Sequence, residues 1–337
     1  MANSISIAAL RKQLWRKELF ADVQDELYMT RFIGTGETSM IQELTDLKKD
    51  KGDKITYGLG MKLSGGGVTG DSELEGNEEA TVDYSTYINI DQLRTAVRLT
   101  GQMDEKKNCY DMRTSAKNRL KIWWAERIDQ ELLDKLCGKT TSTFGNTPAA
   151  PATARNIWAN NAGADAALTA DEVFDTKVIS AAKQMAKLAE PRVRSLRVGG
   201  KDMYVLIAHP YQITDLRKDP VWKQEMREAG TRGTEENPIF SGALGIYDGV
   251  VIHEHQYIYA WNGGAASIPI ARAVLCGQQA GIIAWGKDVD WVEKSFDYGN
   301  KWGISVGAIF GVQKPVFNSL DYGVIAVTTA ATIASTA

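Results

Sequence analysis

Two of the three histidines in this 337-residue chain stand two apart, in His253-Glu254-His255. In an extended strand such residues share a face, so both imidazoles can reach one metal ion, as in cupin-like barrels. A third and fourth ligand must then come from elsewhere, from His209 or from carboxylates, and no metal-ligand spacing supplies them. The plainer expectation is a pair of surface or interface histidines. A second pattern is acidic: Asp71-x-Glu73-x-Glu75-Gly76 has the opening of a calcium loop, with its glycine in place. The position that must give a bidentate carboxylate is Val82, so an acidic solvated or intersubunit loop is expected instead. Glu78 belongs to the same loop. GxSxG, P-loop and HExxH motifs are absent from the sequence. Cys109, Cys137 and Cys276 are scattered and form no CxxC, which suits a reducing compartment and gives neither a disulfide nor a metal framework. The sequence predicts no catalytic residue and no cofactor.

The bulk properties narrow the class. With 39 Lys and Arg against 42 Asp and Glu, the net charge is −3, whereas a dedicated nucleic-acid binder would be basic. A 44% hydrophobic and 24% charged composition is that of a folded chain with room for two or three domains. No run approaches ~20 apolar residues, so no membrane span is expected. The start, MANSISIAALRKQLWRKELF, is broken by Arg11, Lys12, Arg16 and Lys17 and is not of secretory type. Synthesis in the cytoplasm is expected.

The elements that must position these residues are dominated by one stretch, Asp104 to Cys137, which contains neither Gly nor Pro. Met112, Ala116, Leu120, Trp124, Ile128, Leu132 and Leu136 recur every four residues, with Trp123 and Leu133 widening the row. Steps of four slightly overshoot a helical turn, so the stripe slants and touches several neighbours in succession. The spacing predicts a strut helix of roughly 50 Å, stopped at Gly138. Before it, Ile5 to about Ile33 reads as an amphipathic arm. Asp53 to Leu99 reads as two alternating strands joined by SGGGVTGDSELEGNEE, an extended hairpin whose thin body needs a neighbour to rest on. Lys54 and Lys62 are its candidates for intersubunit ion pairs. After a Gly-, Asn- and Pro-rich loop from Lys139 to Ala167, Thr169 and Glu172 predict a capping box opening a helix to about Glu190. MYVLIA (Met203 to Ala208) predicts a buried strand, then a short helix stopped by Pro220, another from Val221 to Arg227, and a series of strands. These run over Gly249 to Ile252, Gln256 to Trp261, Ala271 to Leu275, Gly281 to Trp285, Val289 to Glu293, Trp302 to Phe310 and Tyr322 to Val327.

This order of parts resembles the tailed-phage major capsid proteins of the Hong Kong 97-type fold, in the branch typified by the podophage N-four coat protein. The resemblance is carried by GDKITYGLGMKLSGGGVTGDSELEGNEE, RTSAKNRLKIWWAERIDQELLDKLCG, LIAHPYQITDLRKDPVW, GALGIYDGVVIHEHQYIY and GVQKPVFNSLDYGVIAVTTA, in that order. It implies an α+β fold with an N-terminal arm over 1–52 and an E-loop over 53–100. A peripheral (P) domain over 101–168 would carry the spine helix 104–137. An axial (A) domain would cover 169–286, and the chain would return to the P domain over 287–337. It implies a shell subunit that self-assembles as hexameric and pentameric capsomers around double-stranded DNA, without sequence-specific binding. Scaffolding, portal and decoration proteins are its implied partners. Lys62, Asp71, Glu73, Glu75 and Glu78 would make intersubunit contacts from the E-loop, and Met112, Leu120, Trp124, Ile128 and Leu132 would form the spine's core. Some family members crosslink a lysine to an asparagine; Lys62 lies in the right loop, but no partner is identifiable. The alternatives are a metal-dependent β-rich enzyme using His253 and His255, or a tail or decoration protein.

Overall fold

A long helix laid against two sheets organises the chain. The computed structural model describes residues 27–48, 51–107, 112–198, 200–230 and 244–331. The expected N-terminal arm helix lies mostly outside these residues, as does Cys109. Strands β1 (Ile33–Gly34), β2 (Ile41–Leu44), β3 (Lys54–Gly60), β4 (Asp83–Asn89) and β5 (Asp91–Arg98) lead to helices α1 (Gln102–Lys107) and α2 (Met112–Cys137). A long loop carries β6 (Asn156–Trp158). Then come α3 (Thr176–Leu188), β7 (Leu196–Val198), β8 (Lys201–Ala208), α4 (Pro210–Leu216) and α5 (Pro220–Gly230). The chain ends in strands: β9 (Gly245–Tyr247), β10 (Val250–Glu254), β11 (Ala260–Asn262), β12 (Pro269–Cys276), β13 (Gly281–Phe296), β14 (Lys301–Gln313), β15 (Val316–Phe317), β16 (Leu320–Asp321) and β17 (Val324–Ala330).

One sheet has the order β1-β2-β13-β14-β5. The other runs β6-β17-β12-β8-β10-β9, with β11 on β12 and β7 on β8. The second sheet is covered on both faces, which is why MYVLIA is apolar without alternation. Val205 and Ile207 face the cluster built on α2, while Tyr204, Leu206 and Ala208 face the cluster with Val178, Ile179, Ile213 and Trp222 from α3, α4 and α5. On β14 the alternation is clean: Ile304, Val306, Ala308, Phe310 and Val312 are buried toward α2.

The strut is realised as α1 and α2, and the four residues between them lie outside the described ones. Ala116, Leu120, Trp124, Ile128, Leu132 and Leu136 are buried, and Met112 is half-buried against the same cluster. Trp124 is fully buried, its ring edge-on to Phe310 at 6.3 Å. Trp123 does not widen the stripe. It is 37% exposed, because one residue along a helix turns about 100° away from the buried line. From Ile128 onward nearly every side chain is buried, since both sheets close on this half of α2. Gly138 stops the helix in a Schellman arrangement: its φ is 68°, its N–H donates to Lys135 O at 3.1 Å, and the Lys139 N–H donates to Asp134 O at 2.9 Å.

Four local expectations are corrected. The Thr169 N–H does donate to Glu172 Oε2 at 2.6 Å, but this closes an isolated turn; α3 starts at Thr176, where Asp175 accepts from the Val178 N–H at 3.0 Å. The aspartate won because the apolar period that buries Val178, Ile179 and Ala182 begins there. Pro220 opens α5 rather than merely closing α4, a position where its missing N–H costs nothing. The strand expected from Gln256 contracts to Ala260–Asn262, because the Tyr257 N–H turns back onto His255 Nδ1 at 3.2 Å. The strands expected at Gly281 to Trp285 and Val289 to Glu293 are one, β13, with register shifts around Lys287.

Candidate functional site: hairpin, hinge and arm root

Strands β3 and β4 pair antiparallel from Lys54↔Asn89 to Gly60↔Asp83, making the extended hairpin; β5 then leaves it to pair with β14. The hairpin base does not hang free. Ile55 and Tyr57 pack with Ile88, Ile282 and Ala284, and the Tyr57 ring meets Phe317 edge-on at 5.9 Å. Gly311 permits this seat, since a Cβ there would collide with the Asn89 carbonyl. The neighbour that the thin hairpin needs is thus, at its base, its own chain.

The tip is different. Residues 61–82 form no strand, and Leu63 (60%), Leu74 (61%) and Val82 (48%) are exposed. Glu79, which sequence reasoning did not single out, closes the neck. Its carboxylate accepts from the Ser64 and Gly65 N–H groups, each at 2.6 Å, and from Ser64 Oγ at 3.0 Å. These bonds, led by the Ser64 N–H, hold its pKa below the ordinary range. Asp71, Glu73 and Glu75 lie exposed in the tip, and Glu78 accepts from the Gly76 N–H at 2.7 Å. Lys62 Nζ reaches Glu190 Oε1 of its own chain at 3.7 Å, an exposed pair worth ~0–1 kcal/mol.

Asn146 forms the hinge between hairpin and body. Its Oδ1 accepts from the Asn89 N–H at 2.8 Å, and its Nδ2 donates to Tyr87 O at 3.0 Å and to Gln313 Oε1 at 2.7 Å. The loop bearing it is fixed from below by the buried Lys135, whose Nζ donates to Phe144 O (2.6 Å) and Asn146 O (2.7 Å). We expect Asn146→Ala to cost about 1–3 kcal/mol, because it orphans partly buried groups. It should also loosen the hairpin, read as faster hydrogen exchange of the Tyr87 and Asn89 amides with the α2 core unchanged.

The histidines sit at the root of the arm. Tyr28 to Phe32 form a short 3₁₀ turn whose Tyr28 and Met29 N–H groups donate to Asp129 on α2, at 2.8 and 3.2 Å. Tyr28 Oη meets His253 Nδ1 at 2.9 Å, and the His255 ring lies tilted on the Tyr28 ring at 4.6 Å. The sequence brings His253 and His255 to one side as expected, but onto Tyr28. The Nδ1 of His255 accepts from the Tyr257 N–H, and Glu254 points to Arg217 at 3.7 Å. Among the described residues no group of three or more His, Cys, Asp or Glu is placed to hold a metal. Burial drives the Cys137 thiol up to about 11, and that of Cys276 further up, which disfavours the thiolate a nucleophile needs.

The arm root has an expected pH signature. Burial pushes Asp129 up to about 6, so the folded state takes this proton first, and lowering the pH from 7 toward 4 adds stability. Burial pushes His255 down to about 4, so the unfolded state takes that proton first, and the same change removes stability. The two oppose each other. Relative to wild type, Asp129→Asn should lose, and His255→Gln gain, on the order of a few degrees of Tm between pH 7 and 5, by calorimetry of unassembled subunits.

Among the described residues no arrangement of nucleophile and base emerges; what does emerge is a body carrying a projecting, solvated hairpin and a clamped arm root. A family model described as phage capsid protein matches residues 3–333. The chain belongs to the phage capsid protein family. The major capsid protein of Pseudomonas phage KPP25 is 33% identical to it, over 95% of each chain. Among solved structures, the capsid of Ralstonia phage GP4 superimposes with a TM-score of 0.82 at 31% identity, covering 92% of this chain and 93% of that one. The cyanophage Pam1 capsid matches in fold at a TM-score of 0.79 and 24% identity, covering 90% and 92%. This phage capsid protein therefore has the α+β, Hong Kong 97-type fold that its order of parts implied, and it serves as the major shell subunit of a tailed phage. The long helix α2 and the extended hairpin β3–β4 stand in the chain order where the resemblance led one to expect a spine helix and an E-loop.

Proposed function

We propose that this capsid protein closes into hexameric and pentameric capsomers, with its hairpin as the E-loop bearing on the next copy, and that these form a shell around double-stranded DNA. The observation that carries the reading is the tip. Leu63, Leu74 and Val82 stay exposed beside a run of acids, whereas the hairpin base is buried on its own chain. A segment of this kind gains stability by covering apolar surface on a neighbour, which couples its ordering to assembly. In this reading residues 1–52 are the arm, 53–100 the E-loop, 101–168 and 287–337 the P domain, and 169–286 the A domain. The subunit has no catalytic role. A net charge of −3 suits a wall that lets packaged DNA slide, since a basic lining would grip phosphates. Assembly would take place in the host cytoplasm, with scaffolding, portal and decoration proteins as partners. Expression alone and with a scaffolding protein, followed by size-exclusion chromatography and negative-stain electron microscopy, tests this. Closed shells or five- and six-membered rings are expected; a protein that stays monomeric under both conditions would overturn it.

A further inference from the structure

Beside the hairpin neck lies an open cleft of about 910 Å³, with the C-terminal end of α3 and the segment after it as its other wall. Its lining is basic and apolar. Lys62 and Glu190 face each other in it, and Glu79 is committed to Ser64 and Gly65. Lys187, Arg192 and Arg194 remain exposed, with no ion pair to any described residue. Around them stand Leu63, Val82 and Leu188, the last 72% exposed. A cleft of this composition fits a loop that is acidic and carries an exposed aliphatic side chain.

One such loop belongs to this chain. Between Ser64 and Glu79 the chain has Asp71, Glu73, Glu75 and Glu78 and no base. The turn that joins the Asn77 N–H to Leu74 O leaves Leu74 61% exposed among these acids. Residues 66–78 do not line the cleft of their own chain, so the tip does not fill its own seat. We infer that the cleft between the hairpin neck and α3 seats the acidic hairpin tip of the next copy, Leu74 against Leu188 and Leu63, its carboxylates against Lys187, Arg192 and Arg194. The contact is head-to-tail, each copy giving a tip and receiving one, which is the kind of contact that closes rings. Its charge component is exposed and so weakens with salt. The inference rests on the ring-forming reading above and names the surface that reading leaves open.

Charge exchange within one chain tests it. Arg192→Glu with Arg194→Glu should cut shell yield about tenfold at low salt, the sum of several exposed pairs, with the melting temperature of the subunit unchanged. Adding Glu73→Lys and Glu75→Lys to the same chain should restore shells, because every tip and every seat are then reversed together. A fourfold variant as defective as the twofold one would overturn the inference. As a second measurement, shells carrying Leu74→Cys and Leu188→Cys, treated with a short bis-maleimide, should give a ladder of linked subunits on denaturing gels that neither single variant gives. Shells that form normally but show no ladder would overturn the inference and leave the capsomer reading standing. Should the Arg192→Glu, Arg194→Glu shells form but lose their DNA, the seat belongs to phosphates instead, again overturning it. If the unmutated chain forms no rings or shells at all, it is the capsomer reading that has failed.

Discussion

Replacing Ser64–Glu79 with a two-residue Asn-Gly turn should leave a folded, soluble subunit and abolish shells. The first half of the expectation follows from what the deleted segment touches. The Glu79 bonds go to Ser64 and Gly65, those of Glu78 to Gly76 and those of Asn77 to Glu73, all inside the segment itself. Of its two larger apolar side chains, Leu74 buries little and Val68 is only half-buried. The ladder ends just short of it, with the Met61 N–H on Val82 O at 3.0 Å, and a tight type I′ turn suits the twist of paired strands. The seat of the hairpin on Ile282, Ala284 and Phe317 lies entirely in the part that remains. Tm should therefore move by no more than a few degrees, the range of surface changes worth about 0.5 kcal/mol or less. The second half follows from symmetry. Each copy would lose one given and one received contact, and a shell held by many modest contacts multiplies that loss over every copy. Normal shells from this variant, seen in sucrose gradients and by electron microscopy, would remove the hairpin tip from any account of assembly.

What the sequence discloses depends on how local the physics is. The stripe from Ala116 to Leu136 could be read because burial along one helix face follows a fixed period, and the doubly covered β8 because an unbroken apolar run needs cover on both sides. The Schellman stop was legible in Gly138 alone. Trp123 was misplaced because a large apolar residue beside a stripe satisfies composition without satisfying angle. Thr169 was misread because a capping-box pattern closes a turn as well as a helix, and only the burial of Val178 and Ile179 tells which. The hinge and the arm root could not be read. Asn146 bonds to residues 57 and 167 positions away, and Asp129 to residues 100 and 101 away. Neither has a periodicity or neighbouring motif to mark it. Asp129 stands one residue off the apolar row, and only the fold supplies the N–H groups that answer its buried carboxylate. The histidines show the converse. Their spacing placed them on one side correctly, and the aromatic ring that occupies that side came from the far end of the chain.

Asp321→Ala should be among the most damaging single changes in the molecule, and the reason lies in an imbalance of buried charge. Lys314 and Arg155 are each 1% exposed, and Asp321 is 3% exposed. Lys314 Nζ stands 2.7 Å from Asp321 Oδ1, and Oδ2 accepts from the Ala152 N–H at 3.2 Å. Arg155 donates one nitrogen, Nη2, to Pro191 O at 2.6 Å, while Nη1 has no hydrogen-bond partner, leaving Asp321 to attract it through space. Burial already pulls the Lys314 ammonium below its ordinary pKa, against the attraction of Asp321. Removing the carboxylate leaves two cations without their shared anion, a change that typically costs about 3–5 kcal/mol. Against a total stability of about 5–15 kcal/mol that is a large share, so soluble yield should fall and the urea midpoint drop steeply. Lys314→Met with Asp321→Leu removes charge from both sides, and such exchanges are often neutral or better. It should therefore recover much of the loss, short of full recovery because Arg155 loses its anion too. Equal midpoints for Asp321→Ala and wild type would show that water reaches these cations. The location gives the result a consequence for the shell. Lys314 reaches in beside Gly138, where α2 ends, and Asp321 ties down the loop at Ala152, so the pair fixes the C-terminal end of α2 against the last strands. A lesion there loosens the rigid body from which the hairpin projects, and particles built from the double variant should keep wild-type morphology while those from Asp321→Ala, if any form, should open at lower temperature.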